Sequence, residues 1–98
     1  LPDYVMIDPF RAGGITPWLD IAKLAHACDR PVVSHLAPEI QMHLIAAIPN
    51  GWTVEYMPWS YAMFREVPWP RAGMLELGHQ PGLGLEIDDA AVARYRLS

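Results

Sequence analysis

Strand-like and helix-like segments alternate along the first half of this 98-residue chain, and that alternation restricts its fold more than any other feature. Residues 4–7 and 31–35 are short apolar runs rich in β-formers, a pattern typical of strands buried on both faces. Residues 52–56 predict a third strand. Because helical segments separate the strands, the pattern predicts right-handed βαβ units and a parallel sheet, an α/β fold.

The first helix follows a turn at Gly13 and Gly14. Thr16 is expected to cap it, and Pro17 suits the first helical position because its missing N–H would have no partner there. Apolar residues at helical spacing predict the buried face, which comprises Trp18, Ile21, Leu24, Ala25 and Cys28. Cys28 is therefore expected to be a buried free thiol.

The second helix and the C-terminal tail have clear sequence boundaries. Pro38 and Glu39 open a helix that runs to about residue 48, with an apolar stripe at Ile40, Leu44, Ala47 and Ile48. The breakers at residues 49–51 end it. Residues 57–98 are an aromatic and proline-rich tail, for which we expect irregular structure, a short strand at 74–77 and a last helix at 89–95 capped by Asp88.

Composition excludes several classes of function. The net charge is −4 and the basic residues are scattered, so the chain has no basic patch for nucleic acid. No apolar run approaches the roughly 18 residues that a membrane span needs. A single cysteine cannot form an internal disulfide, which is consistent with a cytoplasmic location. At 52% hydrophobic residues, so short a chain carries more apolar surface than it can bury alone, and we expect partner surface.

A titratable side chain stands at or near the carboxyl end of each predicted strand: Asp8, His35 and Glu55. In α/β sheets and barrels the loops at these ends converge on one mouth, where functional groups gather. Histidine is the usual general base near neutral pH, and an adjacent aspartate would hold its tautomer. The three residues could equally be strand-end polar groups bonded to loop backbone, and the strand pattern alone leaves that alternative open.

Several further motifs span nearly the whole chain: Pro2-Asp3 to Asp8, Gly13-Gly14-Ile15-Thr16, Pro31 to Leu36, His43-Leu44, Ala46-Ala47, Pro49, Glu55 and Pro81 to Gly84. Together they resemble the C-terminal barrel half of the enolase superfamily, in its mandelate racemase and acid-sugar dehydratase branch. His35 lies 21 positions after Gly14, Asp8 six before Gly14, and Glu55 20 after His35, which is the spacing of that family's base, its aspartate partner and its glutamate. The related muconate-lactonising branch carries a lysine in place of Asp8.

The resemblance implies a fold, a cofactor and a set of catalytic residues. Residues 1–56 would form the last three strands, with two helices, of a (β/α)₇β barrel, and residues 57–98 a tail that returns toward an N-terminal capping domain. His35 would exchange the proton α to a substrate carboxylate, Asp8 would support it, and Glu55 would hydrogen-bond the enediolate. Mg²⁺ would be held by carboxylates on strands outside this chain.

The resemblance therefore predicts an enzyme, most simply a dehydratase of an acid sugar. A racemase or epimerase of a 2-hydroxy acid shares the first step, and a catalytically incomplete fragment with a structural role is the alternative from another class. We expect about 250 further residues on the N-terminal side, in keeping with a complete barrel and cap, and a homo-oligomer. Glu39 could reach the mouth or stabilise its helix, and His43 is expected to pack or cap.

Overall fold

The computed structural model describes residues 1–98 and contains one three-stranded parallel sheet. Its strands are β1 (Val5–Ile7), β2 (Val32–Ser34) and β3 (Gly51–Thr53), in the spatial order β1-β2-β3. Helical crossovers connect them, so the predicted parallel α/β sheet is confirmed. β1 and β2 are each shorter than predicted, whereas β3 begins one residue earlier than predicted, at Gly51, and ends at Thr53 rather than at residue 56.

Helices cover one face of the sheet. They are α1 (Pro9–Ala12), α2 (Ile15–Ala27) and α3 (Pro38–Ala47). The core between the helices and the sheet consists of Ile7, Trp18, Ala22, Ala25, Val32 and Leu44. Alternate residues of a strand point to opposite faces. Ile7 and Val32 therefore face the helices, whereas Met6 and Val33 face the other side.

The first predicted helix corresponds to α2 and differs from its predicted form in two ways. It begins at Ile15 with Gly14 at the N-cap, so Thr16 does not cap it and Pro17 is its third residue. On its buried face Trp18 and Ala25 are confirmed, but Ala22 is buried in place of Ile21, because the small alanines let the helix approach the sheet closely. Leu24 and Cys28 are exposed, and the prediction of a buried thiol was wrong.

The tail from residue 57 is irregular apart from a 3₁₀ turn at Tyr61–Met63 and helix α4 (Asp89–Tyr95). Asp88 caps α4 by accepting hydrogen bonds from the backbone N–H groups of Ala90 and Ala91, as predicted. The predicted strand at 74–77 is wrong. Met74 pairs back onto Arg71 across a tight turn instead of joining a sheet. None of the helices combines the length and the apolar character needed to cross a bilayer.

Strand β3 contains a bulge. Val32 is paired with Gly51, but the next residue of β2, Val33, is paired with Thr53, so Trp52 is an extra residue in β3. A bulge of one residue reverses which face each following side chain occupies. Side chains after Trp52 therefore lie on the face opposite to the one that uninterrupted alternation would give them. Glu55 is the first titratable side chain affected.

Gly51, at the start of β3, has no room for a side chain. A Cβ built there would lie 2.2 Å from the backbone oxygen of Ile45 and 3.1 Å from the Ile45 carbonyl carbon. A backbone atom cannot move away as a side-chain end can, so α3 and β3 would have to separate. Glycine thus allows the close approach of α3 to the bulged strand.

We expect Gly51→Ala to destabilise the protein by about 1–3 kcal/mol, the usual cost of overpacking a tight contact. Gly78→Ala is the control, because its Cβ would meet only the end of the exposed Gln80 side chain. The free energy of unfolding of both variants, from urea titration, is the measurement. Equal values for the two variants would contradict the tight contact at Gly51.

Candidate active site

The strand register places the three predicted site residues in one row across the sheet. Met6 pairs with Val33, and Val33 pairs with Thr53. Two residues further along each strand come Asp8, His35 and Glu55, on the same face, away from the helices. The His35 N–H donates to the backbone oxygen of Ile7 at 3.0 Å, so the pairing of β1 with β2 continues up to this row.

Asp8 and His35 are in direct contact. His35 Nδ1 lies 2.9 Å from Asp8 Oδ2. Asp8 also caps α1, since its Oδ1 accepts hydrogen bonds from the N–H groups of Phe10 at 2.8 Å and Arg11 at 3.3 Å. The Asp8 side chain is 10% exposed and that of His35 35% exposed, so the imidazole is the more accessible partner. Asp8 is therefore held from two sides, and it fixes the orientation of His35.

These contacts set the charge of Asp8. Burial alone would raise the pKa of its carboxyl, but the hydrogen bond from His35 and those from the Arg11 and Phe10 N–H groups outweigh it, and the pKa lies below its ordinary value. Asp8 is thus ionised near neutral pH and can only accept hydrogen bonds. His35 Nδ1 must then carry the hydrogen, which leaves Nε2 as the basic nitrogen of a neutral imidazole.

Glu55 is tied to the same strand end by backbone contacts. Its Oε2 accepts a hydrogen bond from the N–H of Leu36 at 2.7 Å, and its own N–H donates to Ser34 Oγ at 2.8 Å. Leu36 has a φ of +60°, the left-handed conformation that non-glycine residues rarely adopt. That conformation turns the chain directly after the His35–Leu36 peptide, whose N–H contacts Glu55.

Other polar groups in this region have structural contacts. His43 Nε2 lies 3.1 Å from the backbone oxygen of Leu83, a packing contact as expected. Glu39 is 2% exposed, and its Oε1 accepts a hydrogen bond from Ser60 Oγ, so it joins α3 to the tail. The sequence analysis overlooked Gln41, whose fully buried side-chain amide contacts the backbone next to His35. A polar residue between apolar helix neighbours was the signal that could have identified it.

The residues of this chain do not fit a metal centre by themselves. No three of its His, Cys, Asp and Glu side chains are grouped so that they could hold a metal ion. Within the row, the oxygens of Asp8 already contact the Phe10 and Arg11 N–H groups and His35. The three side chains could contribute proton transfer at His35, support of its charge by Asp8, and a hydrogen bond from Glu55.

The lowered pKa of Asp8 predicts how one part of the stability depends on pH. Between the folded pKa and the ordinary value of 3.8, the unfolded chain binds more protons at Asp8 than the folded chain does. The stability that ionised Asp8 contributes is therefore fully present above about pH 3.8, and it is lost as the pH falls through the pKa of the folded state.

We expect Asp8→Asn to lower the free energy of unfolding more at pH 6 than at pH 3. The measurement is urea unfolding at both pH values. Asp3→Asn, at an exposed carboxylate just before the same strand, is the matched control and should give a smaller difference. An Asp8→Asn effect of the same size at both pH values would count against the ionised Asp8–His35 contact.

Comparison with known proteins identifies the family. Residues 2–91 match the family model described as "Enolase C-terminal domain-like". The chain is 35% identical over 89 residues to an L-talarate/galactarate dehydratase of Salmonella typhimurium, covering 91% of this chain and 22% of that relative. A solved L-talarate dehydratase from a Polaromonas species, complexed with Mg and L-glucarate, superposes with a TM-score of 0.86 at 40% identity over 93% of this chain and 25% of that one.

A second solved structure extends the range of bound acids. An enolase from Bradyrhizobium, complexed with magnesium and mandelic acid, gives a TM-score of 0.88 at 34% identity and covers 98% of this chain and 26% of that one. The chain thus spans about a quarter of the length of the relatives it matches. The chain belongs to the enolase superfamily, in its mandelate racemase and acid-sugar dehydratase branch, and corresponds to the C-terminal part of the barrel.

Proposed function

We propose that the protein containing this chain removes the proton α to the carboxylate of a hydroxy-acid substrate, and that the net reaction is dehydration of an acid sugar. The observation that carries the proposal is the row of Asp8, His35 and Glu55, in which Asp8 engages His35 Nδ1 at 2.9 Å. That contact leaves Nε2 basic and partly exposed at the mouth of the sheet. Similarity to talarate and galactarate dehydratases supports the choice of acid sugar.

His35 is the proposed base. Nε2 would take the α-proton, and the resulting imidazolium would be stabilised by the ionised Asp8 carboxylate on its other nitrogen. Asp8 stays ionised because its pKa lies below the ordinary value, so it supports the charge on His35 without taking the proton. The hydrogen bonds from α1 to Asp8 Oδ1 keep the carboxylate in place while His35 changes charge.

Glu55 is the proposed acid. Removal of the α-proton converts the carboxylate of the substrate into an enediolate, whose oxygens gain negative charge. Glu55 Oε2 accepts a hydrogen bond from the Leu36 N–H, so Oε1 is the oxygen that would carry a proton toward the substrate. A hydrogen bond that strengthens as the enediolate forms lowers the barrier rather than merely improving substrate binding.

Elimination and racemisation share this first step. In a dehydratase the enediolate expels the β-hydroxyl, which leaves as water once protonated, and the enol product becomes a 2-keto-3-deoxy acid. In a racemase a second base returns the proton to the opposite face. The Bradyrhizobium enolase is complexed with mandelic acid, an acid with no β-hydroxyl to expel, and this favours keeping racemisation as the second candidate.

We further propose that the remaining strands of the barrel, together with a capping domain on which residues 57–98 pack, complete the site and carry the Mg²⁺ ligands. Large apolar side chains are left uncovered on the sheet face that carries the site, which supports this proposal. Met6 is 55% exposed and Trp52 is 62% exposed. Tyr4 and Trp52 stack there with ring centroids 4.6 Å apart. A barrel interior would bury these rings. Assembly into a homo-oligomer is part of the same proposal.

His35→Asn in the complete protein, assayed with added magnesium, should lower exchange of the substrate α-proton with solvent deuterium by about 100-fold or more, the usual contribution of a general base. Proton NMR of the substrate in D₂O measures this exchange. His26→Asn, at an exposed histidine of α2, is the control and should exchange at the wild-type rate. Unchanged exchange in His35→Asn would remove His35 from the proposed role.

A screen of the complete wild-type protein against acid sugars and 2-hydroxy acids should separate the candidate reactions. Dehydration predicts a 2-keto acid, detectable by the absorbance of its semicarbazone, whereas racemisation predicts loss of optical rotation without a keto product. Absence of both products and of α-proton exchange across the whole panel would favour a structural role for the chain.

A further inference from the structure

Gln41 forms a buried connection between the core and the segment that carries His35. It lies in α3, and its side chain is fully buried, as is the indole of Trp18 in α2. Trp18 Nε1–H donates a hydrogen bond to Gln41 Oε1 at 2.9 Å. On its other side Gln41 Nε2 donates to the backbone oxygens of His35 and of Leu36, the latter at 3.0 Å. One amide thus links two helices to the end of β2.

The carbonyl groups that Gln41 binds belong to a strained turn. Leu36 and Ala37 have φ values of +60° and +43°, and two successive left-handed non-glycine residues are costly. No side chain caps the N-terminus of α3 at Ala37. The Gln41 amide binds both carbonyls directly before this cap, so it holds the turn from inside the fold.

The turn controls both functional side chains of β2 and β3. His35 precedes it, and the Leu36 N–H within it donates to Glu55 Oε2 at 2.7 Å. Rotation of the peptide between His35 and Leu36 would move the imidazole relative to Asp8 and withdraw the N–H from Glu55. Both residues are therefore placed by one peptide plane, whose carbonyl Gln41 holds.

We propose that Gln41 is a positioning residue for proton abstraction, which holds the His35–Leu36 peptide so that His35 and Glu55 face the substrate together, with Trp18 fixing the orientation of its amide. The inference rests on the proposed function, to which it adds a residue outside the mouth. Gln41 touches neither substrate nor Asp8, and it acts through the backbone alone. Its replacement should affect the rate of the chemical step more than substrate binding.

Asn50 provides a matched control. Its side-chain Nδ2 also donates to two backbone oxygens, those of Ala22 at 3.2 Å and Arg30 at 2.9 Å. These acceptors precede β2, at the opposite end of the sheet from the row of site residues. Gln41→Glu and Asn50→Asp each replace an amide with a carboxylic acid and remove the donor to two carbonyls. The two substitutions are therefore chemically equivalent, and they differ only in which end of the sheet they affect.

In the complete protein, Gln41→Glu should lower kcat for α-proton exchange on the order of 100-fold, as expected for a displacement of about 1 Å at reacting groups. KM should change by less than about threefold, since only the reacting groups have moved. Asn50→Asp should retain the wild-type kcat once the protein is shown to be folded. Gln41→Met, which keeps the length of the side chain, serves if the glutamate variant does not fold.

A second measurement does not depend on activity. In ¹⁵N-histidine-labelled protein, the Nδ1–H of His35 should give a downfield proton signal because it is hydrogen-bonded to Asp8. Gln41→Glu or Gln41→Met should shift or broaden this signal, and Asn50→Asp should leave it in place. An unshifted signal together with a wild-type kcat in both Gln41 variants would overturn the proposal. If the wild-type protein exchanges no α-proton at all, the proposed function fails, and the signal alone decides whether Gln41 positions His35.

Discussion

The pairing of β1 with β2 is the constraint on which the site depends. Met6 lies opposite Val33 in this parallel ladder, and the next residues on the same face are Asp8 and His35. A shift of one residue would turn one of the two side chains toward the helices, because side chains alternate with a period of two. The core contacts of Ile7 and Val32 with α2 oppose such a shift. Hydrophobic burial on one face thus sets the geometry of a polar pair on the other.

The segment after β2 carries conformational strain at the position where the site needs it. Each left-handed non-glycine residue costs about 1–3 kcal/mol, and Leu36 and Ala37 are consecutive. Hydrogen bonds from Gln41 to the carbonyl groups and from the Leu36 N–H to Glu55 offset that cost. The helix that follows can therefore start at Pro38, only three residues after His35, which leaves the imidazole at an abrupt strand end rather than within a long loop.

Sequence patterns predicted the parallel sheet, the crossover helices and the last helix, because apolar runs and breakers are local signals. The buried face of α2 was predicted only in part, since Trp18 and Ala25 are buried as expected but packing against the sheet favours Ala22 over the larger Ile21 and Leu24. The same applies to α3, where an apolar stripe was expected but the polar Glu39 and Gln41 are buried. Their burial depends on hydrogen bonds to distant residues, which periodicity does not encode.

Spacing and resemblance predicted the row of Asp8, His35 and Glu55, but the short α1 helix that Asp8 caps was missed. Asp8 followed by Pro9 reads equally well as a strand end or as a helix start. A helix starts here because Asp8 Oδ1 accepts hydrogen bonds from the N–H groups that follow it, and these bonds depend on the backbone direction that β1 imposes. The spacing of the family's residues locates Asp8 but does not reveal the hydrogen bonds by which it caps α1.

The bulge at Trp52 makes the register of β3 as important to the site as its composition. If Trp52 paired with Val33 in a regular ladder, Val54 and not Glu55 would fall opposite His35. A variant in which β3 paired regularly would therefore carry a valine in place of the acid at the mouth, with no substitution at either position. In an alignment with a related chain that lacks the bulge, the one-residue gap has to stand before Glu55, because a gap placed after it would pair Glu55 with a residue of the other face.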